Sequence, residues 1–419
     1  MIGKQDILER AREWQLRPEV VEKDYVLGWL LQAIARHEET SRHWVFKGGT
    51  CIKKCFFETY RFSEDLDFTL LPGATYDPDG LEKVLRGVVE DAHERSGITF
   101  PPETLKVMPR HDKLDRPTFE CRVGYRGPLA VPTVPRVLFD LTMHEPVIGA
   151  VAQRPVFSSY PDAPPEETGI QCYCIEELVA EKTRALLERT RPRDLYDVVF
   201  LVENRPADLD LDRAREIFQQ KCEVKGISAA SPARIVELAT ASEDLRTAWR
   251  SMLAHQLPIL PPFDSYLSRL VAALRWLEAS TQHSSEVLPS LPAKPEEVVL
   301  QPGMGSWGSG TETLLFASTS RLLVEFSYHG KRRRAEPYNL HRAGNGNLLL
   351  YAWELEAGHI KAFSVSDIRD LRVTDESFLP RFQTPLRPAG RKPILAGKRS
   401  ASRLPKPARA RRVKKPGST

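Results

Sequence analysis

Two aspartates two residues apart, Asp65 and Asp67, follow a Gly48-Gly49-Thr50 triplet. The surrounding segment runs Val45-Phe46-Lys47-Gly48-Gly49-Thr50, then a helix-like stretch to Tyr60, then Arg61-Phe62-Ser63-Glu64-Asp65-Leu66-Asp67-Phe68. This pattern predicts a strand, a tight turn, a short helix and a second strand. Residues i and i+2 of a strand share a face, so Asp65 and Asp67 stand side by side. Adjacent carboxylates repel unless a cation lies between them. Oxygen ligands of this kind suit Mg²⁺, which keeps several waters and takes substrate phosphates as further ligands. Glycine lets backbone come close to a phosphate, and a helix start beyond the turn favours an anion. Gly48, Gly49 and Thr50 are therefore candidate phosphate contacts. The chemistry indicated is metal-dependent transfer of a nucleotidyl group.

Four further charged residues draw notice. Asp140 interrupts an apolar run, Arg136-Val137-Leu138-Phe139-Asp140-Leu141-Thr142, that predicts a strand reaching the core. A buried aspartate is costly unless paired. Lys182 lies on a predicted helix, Ile175–Arg189, with Leu178, Val179, Ala185 and Leu186 as its helical neighbours. A lysine amid such an arc needs an anion or a snorkelling route, and a triphosphate supplies the anion. Asp194 and Asp197, three apart, are expected either to orient Lys182 or contact base or acceptor, or to pair with nearby Arg189, Arg191 or Arg193.

These residues must be positioned by a chain of 419 residues, long enough for two or three domains. No stretch of 18 apolar residues offers a membrane span, and the first residues lack a signal-peptide core, so a cytoplasmic protein is expected. The net charge of +4 is unevenly distributed. Of 60 Lys and Arg, 12 fall between Thr384 and Thr419, where no Asp or Glu occurs, leaving 48 against 56 acidic residues elsewhere. The body is thus mildly acidic, and the Pro-rich basic tail is expected to be disordered. The six cysteines include no CxxC pair. Reduced thiols are expected, with a zinc site completed by distant histidines as the alternative. No HExxH, nucleophile-elbow or P-loop motif is present.

Apolar periodicity predicts amphipathic helices at Gln5–Leu16 and Glu19–Arg36, and helices from Ile175 to about Thr281. Ser284–Thr311 turns rich in Pro, Ser and Gly and reads as a linker. Beyond it the pattern alternates, with turns at His329-Gly330, Asn345-Gly346 and Ala357-Gly358, as in a small all-β unit.

The first half of the chain resembles the AbiEii/AbiGii toxin family, nucleotidyltransferases of the DNA polymerase β superfamily. The resemblance rests on Pro18–Leu27, Phe46–Thr50, Arg61–Phe68, Ile175–Lys182 and Arg193–Asp197, in the family's order. It implies an α/β polymerase β-type core with Asp65 and Asp67 on Mg²⁺ bridging an NTP. It implies Asp140 as third carboxylate, Lys54 and Lys182 toward the triphosphate, and a catalytic role for Lys182 and Asp194. It further implies an RNA acceptor such as tRNA, a cognate antitoxin protein, and a place in a toxin–antitoxin or phage-defence system. The β unit resembles the WYL domain, an SH3-like β-barrel, at Val324–Gly330, Arg334–Tyr338 and Phe363–Ile368, although Leu348-Leu349-Leu350 stands where the naming triplet would be. The expected plan is a core with N-terminal helices over 1–150, a helical segment completing the cleft over 151–283, a linker over 284–311, a WYL-like β-domain over 312–382 and the basic tail over 383–419. A small-molecule nucleotidyltransferase, and a non-catalytic NTP- or nucleic-acid-sensing regulator, are the competing functions.

Overall fold

The strand alternation seen in the sequence becomes one seven-stranded mixed sheet. In the computed structural model, residues 1–278, 309–342 and 347–381 are described, except 15, 59, 74–75, 113, 144, 164–168, 206–208 and 258. The strands are β1 (Trp44–Lys47), β2 (Asp65–Leu70), β3 (Lys106–His111), β4 (Pro117–Gly124), β5 (Arg136–Thr142), β6 (Ala152–Arg154) and β7 (Ile170–Cys172). Their order is β3-β4-β5-β2-β1-β7-β6. The antiparallel β1–β2 pair is flanked by β5, parallel to β2, and by β7, parallel to β1.

Helices cover this sheet. α1 (Lys4–Glu13), α2 (Pro18–Arg36) and α3 (Glu38–His43) precede it, and α4 (Gly48–Cys51) leaves β1 and continues as a π-helical turn, Ile52–Phe56. α2 opens with Pro18 at its first position, where a missing N–H costs nothing. Its Val20, Val21, Leu27, Leu30, Leu31 and Ile34 are buried, so it runs through the core rather than along its surface. α5 (Pro78–Ser96) is capped by the Asp77 side chain and ends at Gly97, which has φ +75. Then follow α6 (Ile175–Arg189), α7 (Pro192–Glu203), α8 (Leu211–Val224), α9 (Pro232–Ala241), α10 (Glu243–Thr247), α11 (Trp249–Leu253) and α12 (Phe263–Ala273). The segment expected to be helical from 151 thus begins with two strands, and β7 pairs beside β1 in the core sheet.

One expectation is corrected. Asp140 does not reach the core: Val137, Phe139 and Leu141 are buried on one face of β5, and period 2 turns Asp140 to the open face. The C-terminal unit, expected as an SH3-like β-barrel, is a five-stranded sheet that does not close. α13 (Ser309–Ser320) leads into β8 (Leu322–Tyr328), β9 (Lys331–Arg342), β10 (Leu348–Glu354), β11 (His359–Ser364) and β12 (Ile368–Ser377). These form an open antiparallel sheet in the order β11-β10-β9-β8-β12. Leu314 and Ala317 of α13 pack with Val324, Leu350 and Phe363, so a helix fills the face that closure would otherwise bury. The β8–β9 turn falls at His329 and Gly330, both with positive φ as a two-residue hairpin demands. The Asn345-Gly346 turn, the basic tail and most of the 284–311 linker lie outside the described residues.

The β unit is joined to the core by side chains. Phe316 and Leu322 belong to the main apolar cluster. Glu312 accepts hydrogen bonds from Trp14 and Arg10 of the N-terminal segment. Phe316→Ala removes a side chain that is 5 % exposed, and should cost about 3–5 kcal/mol in a urea melt of the whole chain. A loss below about 1 kcal/mol would show that the two parts do not share a core.

Candidate active site

Register across the sheet builds a row of charges. Lys47 on β1 pairs with Asp67 on β2, Asp67 with Asp140 on β5, and Asp140 with Glu120 on β4. Residues paired across strands point to the same face. All four line one cleft of 480 Å³, together with Gly48, Arg110, His111, Glu145, Glu181, Lys182 and Arg189. Asp65 lies two residues before Asp67 on the same strand, and Leu66 and Phe68 on either side of Asp67 are buried. The cleft therefore has a carboxylate floor from the sheet and a wall from α6.

The backbone before this row is shaped to fit it. Gly48 has φ +79, a conformation that side chains rarely adopt, and an added Cβ would collide with the Asp67 carboxylate. A Cβ on Gly49 would meet Ser63 Oγ at 2.9 Å and Arg61 Nη2 at 3.0 Å. Gly48 is thus required by close approach to the aspartate strand, and Gly49 packs tightly against the segment just before it. Thr50 is buried, and its hydroxyl donates to the Asp65 carbonyl at 2.5 Å. That hydroxyl ties the turn to the strand. Lys54 lies elsewhere: it is buried in a 2.8 Å ion pair with Asp24 of α2, away from the cleft-lining residues.

Lys182 and the two aspartates of α7 divide their roles. Lys182 lines the cleft, and its Nζ lies 2.9 Å from Asp197 Oδ2. The anion that its apolar surroundings demand is therefore provided within the protein. Asp197 is fully buried and also receives Arg61 Nε and Nη2, both at 2.8 Å. Burial alone would raise the Asp197 pKa, but Arg61 and Lys182 hold it well below the carboxylate range. Asp194 is buried and clasped by Arg189 at 2.7 and 2.9 Å. Of the alternatives open for it, Asp194 takes the pairing with Arg189, itself on the cleft wall.

The electrostatics of the floor are strained. Asp67 is pushed up to about 7, first by burial and then by Asp140, with Lys182 and Lys47 opposing. Burial also raises Asp65 and Asp140, and each feels neighbouring carboxylates. Three carboxylates whose charged forms are disfavoured suit a cation. Their oxygens do not gather within 4.8 Å of one another as three ligands of one ion. That spacing is compatible with Mg²⁺, which takes one or two carboxylates and leaves its other positions to water and phosphate.

A second network backs the cleft. Lys47 Nζ reaches Glu145 Oε2 at 3.0 Å, and buried Lys221 reaches Glu177 at 2.8 Å and Glu181 at 3.4 Å. On the Asp65 side, Glu64 pairs with Lys23 at 3.3 Å and His255 at 3.4 Å. Arg193 Nε has no hydrogen-bond partner among the described residues, and the charges of Asp65 and Glu64 act on it. Sequence reasoning missed Lys47, Glu120, Glu145 and the Arg61 clasp. Lys47 stood next to the glycines and was open to notice; the others depend on strand register and distant pairing.

The mixed sheet, the glycine turn and the carboxylate row define a nucleotidyltransferase-like cleft. A family model described as "Nucleotidyl transferase AbiEii toxin, Type IV TA system" matches residues 29–269, over half of the 419-residue chain. The chain belongs to this AbiEii nucleotidyltransferase toxin family. Among solved structures it is similar to MenT4, a nucleotidyltransferase toxin from Mycobacterium tuberculosis H37Rv, at 19 % identity and a TM-score of 0.44, covering 66 % of this chain and 90 % of that one. It is also similar, at 11 % identity and a TM-score of 0.16, to the proteasome accessory factor B/C of Arthrobacter aurescens, covering 85 % of this chain and 71 % of that one. No curated protein matches. No described helix is long and apolar enough to cross a membrane.

Two outcomes follow from this geometry. Asp197→Ala leaves Arg61 buried without its counter-ion, and should destabilise the chain by about 3–5 kcal/mol in urea. The double variant Arg61→Met/Asp197→Leu should recover much of that loss; a single variant as stable as wild type would disprove the clasp. Without metal, the folded-state Asp67 pKa of about 7 lies above its ordinary 3.8. The folded state then binds the extra proton between those values, so this contribution to stability falls as pH rises through that window. Melts in chelator should show the decline in wild type and a smaller one in Asp67→Asn. Equal slopes would show that Asp67 is not strained.

Proposed function

We propose that the chain transfers a nucleotidyl group from an NTP to an RNA acceptor, such as a tRNA end, with Mg²⁺ held by one or two at a time of the carboxylates Asp65, Asp67 and Asp140. The observation that carries this is the cross-strand row Lys47–Asp67–Asp140–Glu120 beneath Lys182, in a chain of this toxin family. When bound, Mg²⁺ supplies charge neutralisation for the triphosphate and the developing transition state. The Gly48-Gly49 backbone lets the triphosphate approach the aspartate strand. Lys182 Nζ, held in place by Asp197, offsets phosphate charge at the wall. The Asp140 carboxylate accepts the proton of the attacking acceptor hydroxyl, since its open-face position leaves it reachable. Arg110 and His111 at the end of β3 line the same cleft and meet the acceptor.

The acceptor is RNA rather than a small molecule because 12 basic residues without an acidic one between Thr384 and Thr419 favour a polyanion. A cognate antitoxin is the expected protein partner, as membership of this family implies. The C-terminal unit, WYL-like in its sequence, is a regulatory element placed against the core by α13.

Purified protein, labelled NTPs and total RNA test this. Asp65→Asn and Asp67→Asn should each lower transfer by roughly 10²–10³-fold or more while leaving the melt cooperative. Lys182→Arg should not restore what Lys182→Ala loses, because a planar fork does not replace a compact charge. Near-normal transfer by both aspartate variants would overturn the proposal.

A further inference from the structure

Behind the glycine turn, on the side away from the cleft, three cysteines converge. Cys51 ends α4 immediately after Thr50, Cys55 lies in the π-helical turn Ile52–Phe56, and Cys172 ends β7. All three are fully buried. Their Sγ atoms all lie within 4.8 Å of one another. Cys172 is brought there by its parallel pairing with Phe46 of β1, two residues before Gly48. The other three cysteines stand outside this group.

A buried thiol is a good small apolar side chain, and core packing alone explains one or two. Three soft ligand atoms from two separate elements meeting at one point call for more. The helix carrying two of them changes there from α to π form, closed by the Phe57 N–H to Ile52 carbonyl bond at 2.8 Å. Such turns are rare and recur at functional sites. A compensating charge is also present. Arg154 lies over the Phe56 ring at 4.4 Å and donates from Nε to the Cys55 carbonyl at 3.2 Å. Three thiolates around a divalent ion carry one net negative charge, and the Arg154 guanidinium offsets it.

We propose that Cys51, Cys55 and Cys172 form a buried structural site for a thiophilic metal ion of the Zn²⁺ class. Sulfur ligands select such ions over Mg²⁺, so this site and the carboxylate floor do not compete for one metal. Three protein sulfurs fall one short of the four that close a typical structural zinc site. The coordination is therefore trigonal as far as the protein supplies it. On binding, each thiol gives its proton to solvent and its sulfur donates a lone pair to the ion; no electron is transferred. With no sulfur exposed, the ion enters as the chain folds. Its structural consequence is to fasten the helix behind Gly48 and Gly49 to β7, fixing the turn from the rear.

The test uses the full chain, unfolded under reductant and refolded with Cd²⁺ as a spectroscopic probe, in excess Mg²⁺ to occupy the carboxylates. Thiolate-to-metal absorption should saturate at about one Cd²⁺ per chain, and elemental analysis of protein refolded with Zn²⁺ should give the same ratio. Cys172→Ser and Cys55→Ser should lose most of the bound metal, while Cys174→Ser and Cys222→Ser retain it. Should the triad variants fail to fold, wild-type stoichiometry and the two control variants still decide. No stoichiometric thiolate absorption in the wild type would make these ordinary core thiols and overturn the proposal. A disulfide within the triad in protein purified without reductant would overturn it equally. Neither result bears on nucleotidyl transfer, which rests on different residues.

Discussion

The site depends on like charges held next to one another. Asp67 and Asp140 face each other across parallel β2 and β5, with Asp65 on the same strand as Asp67 and Glu120 one strand further out. Direct like-charge pairs weaken a sheet, so the row persists only because the surrounding structure is strong enough to impose it. The buried aromatic pair Phe46–Phe68, with ring centroids 5.0 Å apart, and the alternating apolar face of β5 supply that strength beneath the floor. Compensation comes from Lys47 and Lys182 at the edges, each fixed by its own carboxylate, Glu145 and Asp197. A fold arranged in this way is short of positive charge at the centre of its cleft and favours whatever cation or cationic complex restores it.

The parts of this site that could be read from the sequence are the local ones. Asp65 and Asp67 share a face because a strand has period 2, and Gly48 takes a positive φ because the chain turns sharply before α4. What escaped depends on contacts between distant segments. Thr50 and Lys54 are polar residues close to the turn, and nothing local reveals that one is tied to the Asp65 carbonyl and the other to Asp24. The apolar run around Asp140 reads alike on either face, and only the parallel register with β2 shows that Asp140 turns outward. The apolar neighbours of Lys182 call for an anion, but the sequence holds several candidates, and the packing of α6 on α7 places Asp197 beside it.

The C-terminal unit shows the same division. Alternation and the His329-Gly330 turn identify its strands, and the positive φ values at those residues are the physical reason for the turn. Closure of a barrel is a property of pairing between the first and last edges, which no local pattern encodes. Here β11 and β12 remain the two edges, and α13 covers the sheet face. The same helix carries Phe316 into the main core, making the β unit a neighbour of the cleft-bearing part rather than an appendage.

The central claim is that this cleft transfers the α-phosphoryl nucleotide of an NTP. The most direct measurement follows two labels at once, one at the α and one at the γ phosphate, during incubation of the full chain with Mg²⁺ and RNA. Nucleotidyl transfer predicts that the α label becomes attached to RNA while the γ label leaves as pyrophosphate. Appearance of the γ label on RNA or protein, or release of inorganic phosphate with no α label transferred, would contradict the account.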